Sequence, residues 1–216
     1  MTLTYDLYWS FRSPYSYFVM PRLVELERDY DVQCNVRPIY PIAVRQPEFF
    51  DHNDPLWVQY FMRDIFRCAA FLGLPFAWPS PDPVVMDMAT REYPKEQPYI
   101  YRLTQLGQLA AERGKGLAFL DAVSSTIWSG TVKGWHEGVH LAQAAARAGL
   151  DLTEMDAVLA AGHERLDAAI NDSQDGQRLG GHYGVPLMVF DGEPFFGQDR
   201  FDQMKWRMEQ KGLTRR

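Results

Sequence analysis

The sequence predicts an α/β protein whose sheet is split by a long, all-helical insertion. Three observations carry this. Apolar side chains alternate with a period of two near both ends of the 216-residue chain. The order reads β-α-β at the start and β-β-α at the end. Between them, helical runs are separated by Gly and Pro breaks. The expected division is 1–38 plus 173–216 for the sheet-bearing unit and 39–172 for the insertion. Hydrophobic residues make up 46% of the chain and charged residues 23%, which excludes disorder and collagen-like repeats.

Leu3, Tyr5, Leu7 and Trp9 alternate with Thr4, Asp6 and Tyr8, the pattern of a half-buried strand. Ser13-Pro14 then supplies a capping hydroxyl followed by proline at the first helical position, where its missing N–H costs nothing. Tyr17, Phe18, Leu23, Val24, Leu26 and Tyr30 continue an apolar helical face, and Pro21 within it is expected to kink the helix. Val32, Cys34 and Val36 alternate with Gln33, Asn35 and Arg37 and end at Pro38. A parallel pair of strands with a right-handed crossover follows. Helical stretches are expected around 56–72, 97–113, 117–128, 137–148 and 154–169. Gly114, Gly149 and Gly162 stand at C-cap positions, and the proline-rich stretch 75–83 can only be a loop. Strand character returns at 185–190. Asp191-Gly192 marks a hairpin, 194–197 the return strand, and Phe201, Met204 and Met208 one face of a last helix over about 199–211.

The formal charge of −6 argues against a binder of phosphate backbones. No apolar run approaches the roughly 18 residues of a spanning helix. Asp6 lies where a signal peptide would be apolar. Cys34 and Cys68 form neither a CxxC pair nor a disulfide framework. A reduced, cytoplasmic protein without nucleic-acid or membrane partners is the expectation.

The segment Ser13-Pro14-Tyr15-Ser16 joins the first strand to the first helix. That is where a thioredoxin-type fold carries its C-x-x-C pair, and here serine stands at each cysteine position. Gly184-Val185-Pro186 precedes the third strand, where that fold has its cis-proline loop. Together with Phe196-Gly197-Gln198-Asp199-Arg200 and a weaker echo at Ile127-Trp128-Ser129-Gly130, the sequence resembles the 2-hydroxychromene-2-carboxylate isomerases and kappa-class glutathione transferases. Both lie in the disulfide-oxidase-like branch of the thioredoxin superfamily. The resemblance spans the chain in element order and implies a thioredoxin-like α/β fold with a large all-helical insertion.

It also implies glutathione as cofactor, a small aromatic substrate and a homodimer. Ser13 would be the catalytic residue. Val185 and Pro186 would hold the tripeptide backbone, with Gln198, Asp199 and Arg200 at its γ-glutamyl end. The implied reaction is cis/trans isomerisation of an aromatic 2-oxo acid; thiol conjugation by a kappa-like transferase and a non-catalytic thiol- or peptide-binding module are the alternatives. Without cysteines at 13 and 16, disulfide exchange at the motif is excluded. Lowering a ~8.5 thiol to ~6.5 requires about 2.7 kcal/mol. A helix dipole of up to ~2 kcal/mol and a charge-assisted hydrogen bond of ~1.5–3 kcal/mol supply it. One departure stands out. Where these families place a lysine for the glycine carboxylate, this chain has Trp57, with Arg45, Arg63 and Asn53 as substitute candidates.

Plainer roles exist for each residue. Ser13 is a natural N-cap, Val185-Pro186 a turn, and Asp199 a first-turn acid. Cys34 and Cys68 read as core residues, and so for the most part do the six tryptophans, with Trp9, Trp128 and Trp135 as candidates for lining an aromatic pocket instead. His136-Glu137-Gly138-Val139-His140 matches the H-E-x-x-H zinc pattern formally. Gly138 weakens the helix this pattern needs and no histidine completes it, so a solvated first helical turn and no metal are expected.

Overall fold

The structure, a computed structural model, describes residues 2–50, 54–87 and 92–216. Strand β1 (Leu3–Trp9) lies inside a four-stranded sheet of order β2-β1-β3-β4. It pairs in parallel with β2 (Val32–Pro38), from Leu3 opposite Val32 to Trp9 opposite Pro38. On its other side it runs antiparallel to β3 (Leu187–Phe190), which pairs with β4 (Glu193–Phe196). The strand expected from 185 begins two residues later, because Pro186 has no N–H for a ladder. Asp191 and Gly192 both have positive φ (52° and 78°), the backbone a two-residue hairpin requires.

Helix α1 (Pro14–Asp29) connects β1 to β2 and continues through Pro21. The insertion begins with α2 (Ile42–Arg45), a 3-10 turn (Pro47–Phe50) and α3 (Pro55–Leu72). It goes on through α4 (Ile100–Glu112), α5 (Gly116–Trp128), α6 (His140–Arg147), α7 (Leu152–Ala161) and α8 (Glu164–Leu179). A 3-10 turn (Gln198–Arg200) then leads into α9 (Phe201–Gln210), whose Phe201, Met204 and Met208 are buried as expected.

Three boundaries differ from expectation for physical reasons. Helix α4 starts at Ile100 because the buried Gln97 amide is committed to the backbone of Val85 and Pro94. The single helix expected over 154–169 is two, parted at Gly162 and His163. The boundary expected at 172/173 falls inside α8, whose buried stripe runs Leu166, Ile170, Ser173, Gln177. Its second half is polar, so hydrophobic periodicity faded before the helix did.

One continuous apolar cluster joins sheet and insertion. Trp9, Phe11 and Phe119 meet edge to face, with centroids 4.7 and 6.4 Å apart. Trp9, Trp128 and Trp135 are each at most 1% exposed, so all three belong to the core. Among the described residues no helix is long and apolar enough to cross a membrane.

Candidate active site

The chain leaves β1 at Trp9 and reaches α1 through a short loop that is pinned from several directions. Trp9 Nε1–H donates to the Ser16 carbonyl at 3.1 Å, and Trp128 Nε1–H donates to the Phe11 carbonyl at 3.0 Å. Arg12 pairs with Asp82 and lies 4.9 Å over the Trp78 ring. This fixes Ser13, half-buried, at the N-terminus of α1. Its Oγ accepts the Ser16 N–H at 3.2 Å and reaches the Val185 carbonyl at 3.4 Å. The second contact is long for an O–H donor, so the hydroxyl proton is weakly committed.

Pro14 has no N–H and Oγ takes that of Ser16. Among the described residues the Tyr15 N–H therefore remains as a free first-turn donor beside Ser13.

The Val185-Pro186 bond is cis, and the Val185 N–H has no acceptor among the described residues. The Pro186 carbonyl accepts Gly197 N–H at 2.9 Å, which places the turn carrying Gln198, Asp199 and Arg200 beside this loop. Arg22 Nη2 then fixes Gln198, donating to its backbone carbonyl at 2.8 Å and its Oε1 at 2.5 Å. Gly197 has φ 99°, and a Cβ there would lie 2.7 Å from Asp199 Oδ1, so only glycine lets that carboxylate fold back over the turn. Asp199 also pairs with Arg200 at 2.9 Å on the exposed end. Residues 13, 185, 186 and 198 thus form one contiguous line, with 199 and 200 at its solvent end.

Helix α3 buttresses the line from the side. Tyr15 OH donates to Asp64 Oδ2 at 2.6 Å, Arg67 pairs with the same carboxylate, and the Cys68 thiol lies 3.4 Å from it. Burial disfavours the ionised Asp64, but these hydrogen bonds outweigh it and hold the carboxyl below its ordinary range. Gln198 Nε2 approaches Cys68 Sγ at 3.9 Å, closing a path from Asp64 back to the turn. Burial, with Asp64 nearby, pushes the Cys68 thiol up to about 11, and burial raises Cys34 further. Neither cysteine is a thiolate at neutral pH.

Arg22 and Asp64 were missed in the sequence. Each had a faint signal: Arg22 is a charge among the apolar residues of α1, and Asp64 an acid in the middle of an apolar α3.

Trp57, at the position expected for lysine, stacks on Phe61 with centroids 5.4 Å apart and offers no charge. Of the substitutes, Arg63 is exposed on α3, Arg45 donates to the Tyr40 carbonyl at 2.8 Å, and Asn53 lies outside the described residues. The zinc-like segment is not the first turn of a helix. Gly138 has φ 57° and α6 begins only at His140, so the two histidines share no helical face. His136 instead packs against Tyr99 and Trp135. Among the described residues no three ligating side chains cluster.

A family model for the DSBA-like thioredoxin domain matches residues 4–209. No curated protein matches the chain. Among solved structures, a 2-hydroxychromene-2-carboxylate isomerase is similar at TM-score 0.72 and 20% identity, covering 96% of this chain and 95% of that one. A probable DsbA oxidoreductase from Streptomyces coelicolor is similar at TM-score 0.67 and 18% identity, over 96% of this chain and 89% of that one. The cytosolic disulfide reductase DsbM from Pseudomonas aeruginosa, solved with GSH, follows at TM-score 0.59 and 17% identity, over 96% and 100%. The match over nearly the whole length agrees with the sheet order and the cis-proline loop opposite Ser13: the chain belongs to the DSBA-like thioredoxin domain family.

Proposed function

We propose that the protein is a glutathione-dependent cis/trans isomerase acting on an aromatic 2-oxo acid. The observation that carries this reading is a serine hydroxyl at a helix N-terminus, 3.4 Å from the backbone of a cis-proline loop, in the place of a redox cysteine. The residues present fit the tripeptide. Ser13 Oγ–H and Tyr15 N–H are two adjacent donors at the positive end of α1, suited to a sulfur anion. The free Val185 N–H can pair with an extended peptide as an added strand does. Gln198, held by Arg22, and the Asp199 carboxylate offer polar contacts to an amino-acid end.

Bound there, held by Ser13, Val185 and the Gln198 turn, glutathione would supply the thiol nucleophile for a reversible addition to the conjugated double bond. The protein's own contribution is electrostatic. Ser13 would turn its weakly committed proton from Val185 to the sulfur, and the α1 N-terminus would favour the ionised form of that sulfur. Neither cysteine competes as a nucleophile, since both thiols stay protonated. The DsbM relative solved with GSH and the isomerase relative support the reading.

Calorimetry with glutathione tests it, followed by parallel assays of cis/trans isomerisation of a hydroxychromene carboxylate and of thiol conjugation to an aromatic electrophile. Isomerisation dependent on glutathione is expected. Conjugation alone identifies a kappa-like transferase, and no binding at millimolar glutathione refutes both.

A further inference from the structure

Away from Ser13, a cavity of about 390 Å³ opens between α2 and α8, lined among others by Tyr40, Arg45, Tyr101, Gln174, Asp175 and Arg178. Two guanidinium groups face it, in a chain whose net charge is −6. Among the described residues neither has a carboxylate partner within ion-pair distance. This holds although Asp175 lies three residues before Arg178 on the same helix and lines the same cavity. Arg45 is half-buried and spends its donors on two carbonyls, Tyr40 at 2.8 Å and Tyr183 at 3.4 Å. No hydrogen bond to a protein acceptor engages Arg178 among the described residues.

Burial and then the charge of Arg178 pull the Arg45 guanidinium down to about 10, the signature of a cation left uncompensated. Like charges kept together with no carboxylate in ion-pair distance are destabilising unless an anion joins them. The surrounding chemistry suits a planar acid. Guanidinium groups bind carboxylates with paired N–H donors, and the Tyr40–Tyr101 edge-to-face pair, centroids 5.2 Å apart, supplies an apolar wall.

We propose that the Arg45–Arg178 cavity is a binding site for a small carboxylate anion. It is separate from the Ser13 line but borders the loop that leads to it, since Arg45 Nη2 reaches the Tyr183 carbonyl at 3.4 Å, two residues ahead of Val185. Two sources present the same group: a free organic acid, or the carboxylate of a longer ligand whose other end lies at Val185. The cavity itself does not depend on glutathione being the thiol.

The test uses the full chain, with succinate as the free acid and glutathione against γ-glutamylcysteine, which lacks the glycine carboxylate. Arg178→Gln removes one charge at an exposed position and leaves the core intact, as a thermal melt verifies. Saturable succinate binding weakened about tenfold or more by this substitution supports a free-acid site. A comparable loss for glutathione, with γ-glutamylcysteine unchanged, supports a carboxylate carried by the tripeptide. If all three ligands bind R178Q as they bind the parent chain, or none binds either protein, the proposal is wrong. Should glutathione fail while succinate binds in an Arg178-dependent way, the site stands and the glutathione reading falls.

Discussion

Removing the Ser13 hydroxyl separates two roles that the structure superimposes on one atom. Oγ caps α1 through the Ser16 N–H at 3.2 Å, and it is the hydroxyl donor of the Ser13 line, contributed by the N-terminus of α1. Ser13→Ala loses both and should destabilise the protein by about 0.5–2 kcal/mol through the lost cap. Ser13→Gly removes the same donor but costs only a few tenths of a kcal/mol as a cap. A charge-assisted hydrogen bond to sulfur is worth about 1.5–3 kcal/mol. At about 1.36 kcal/mol per pKa unit, that is a rise of about one to two units in the bound thiol's pKa. The Val185 contact barely enters this balance, being too long to contribute much. Ultraviolet absorbance of the thiolate, titrated with saturating glutathione, reads the shift directly. Both variants should raise the bound pKa alike while differing in thermal stability, and Ser13→Thr should restore both properties in part. An unchanged bound-thiol pKa in the glycine variant would refute the reasoning and leave Ser13 as a cap alone.

Arg22→Met removes both hydrogen bonds that hold Gln198 and should weaken glutathione by about tenfold, the worth of one Gln198 contact left unpositioned, while leaving the bound thiol's pKa where it was; calorimetry and the same titration check this, and a shifted pKa would show that Arg22 acts on the sulfur. Because the Cys68 thiol is raised to about 11 and Cys34 higher, alkylation followed by mass spectrometry should be slow at pH 8 in the native protein and fast in denaturant. Rapid native labelling would contradict the burial described. The depressed Asp64 carboxyl contributes stability that is fully present above its ordinary value near 3.8 and disappears as acid protonates it. Asp64→Asn should therefore destabilise at pH 7 by about 1–3 kcal/mol, with the difference shrinking toward pH 2. A pH-independent difference in denaturant melts would point to packing instead.

The strands and α1 were legible because each shows its period within a few residues. Leu3 to Trp9 alternate, and Ser13-Pro14 announces the helix that follows. The helical insertion was less legible where its buried stripe turns polar, as at Ser173 and Gln177, or where glycines with positive φ delay a helix, as at Gly134 and Gly138. For Trp9, Trp128 and Trp135 the sequence left core and pocket both open, and burial decided for the core, because composition says that a ring is apolar but not where it packs.

By itself the sequence determined the element order, the hydroxyl in place of the motif thiols, and the proline loop ahead of β3, since all three are local properties of consecutive residues. Only the tertiary structure decided that Ser13 meets Val185, that Arg22 holds Gln198, and that Tyr15 meets Asp64. These partners are separated by up to 176 positions. Nothing in local periodicity encodes which distant donor meets which acceptor. That choice is made when strands pair around β1 and the core closes, because packing then sets where each buried polar group must find its partner.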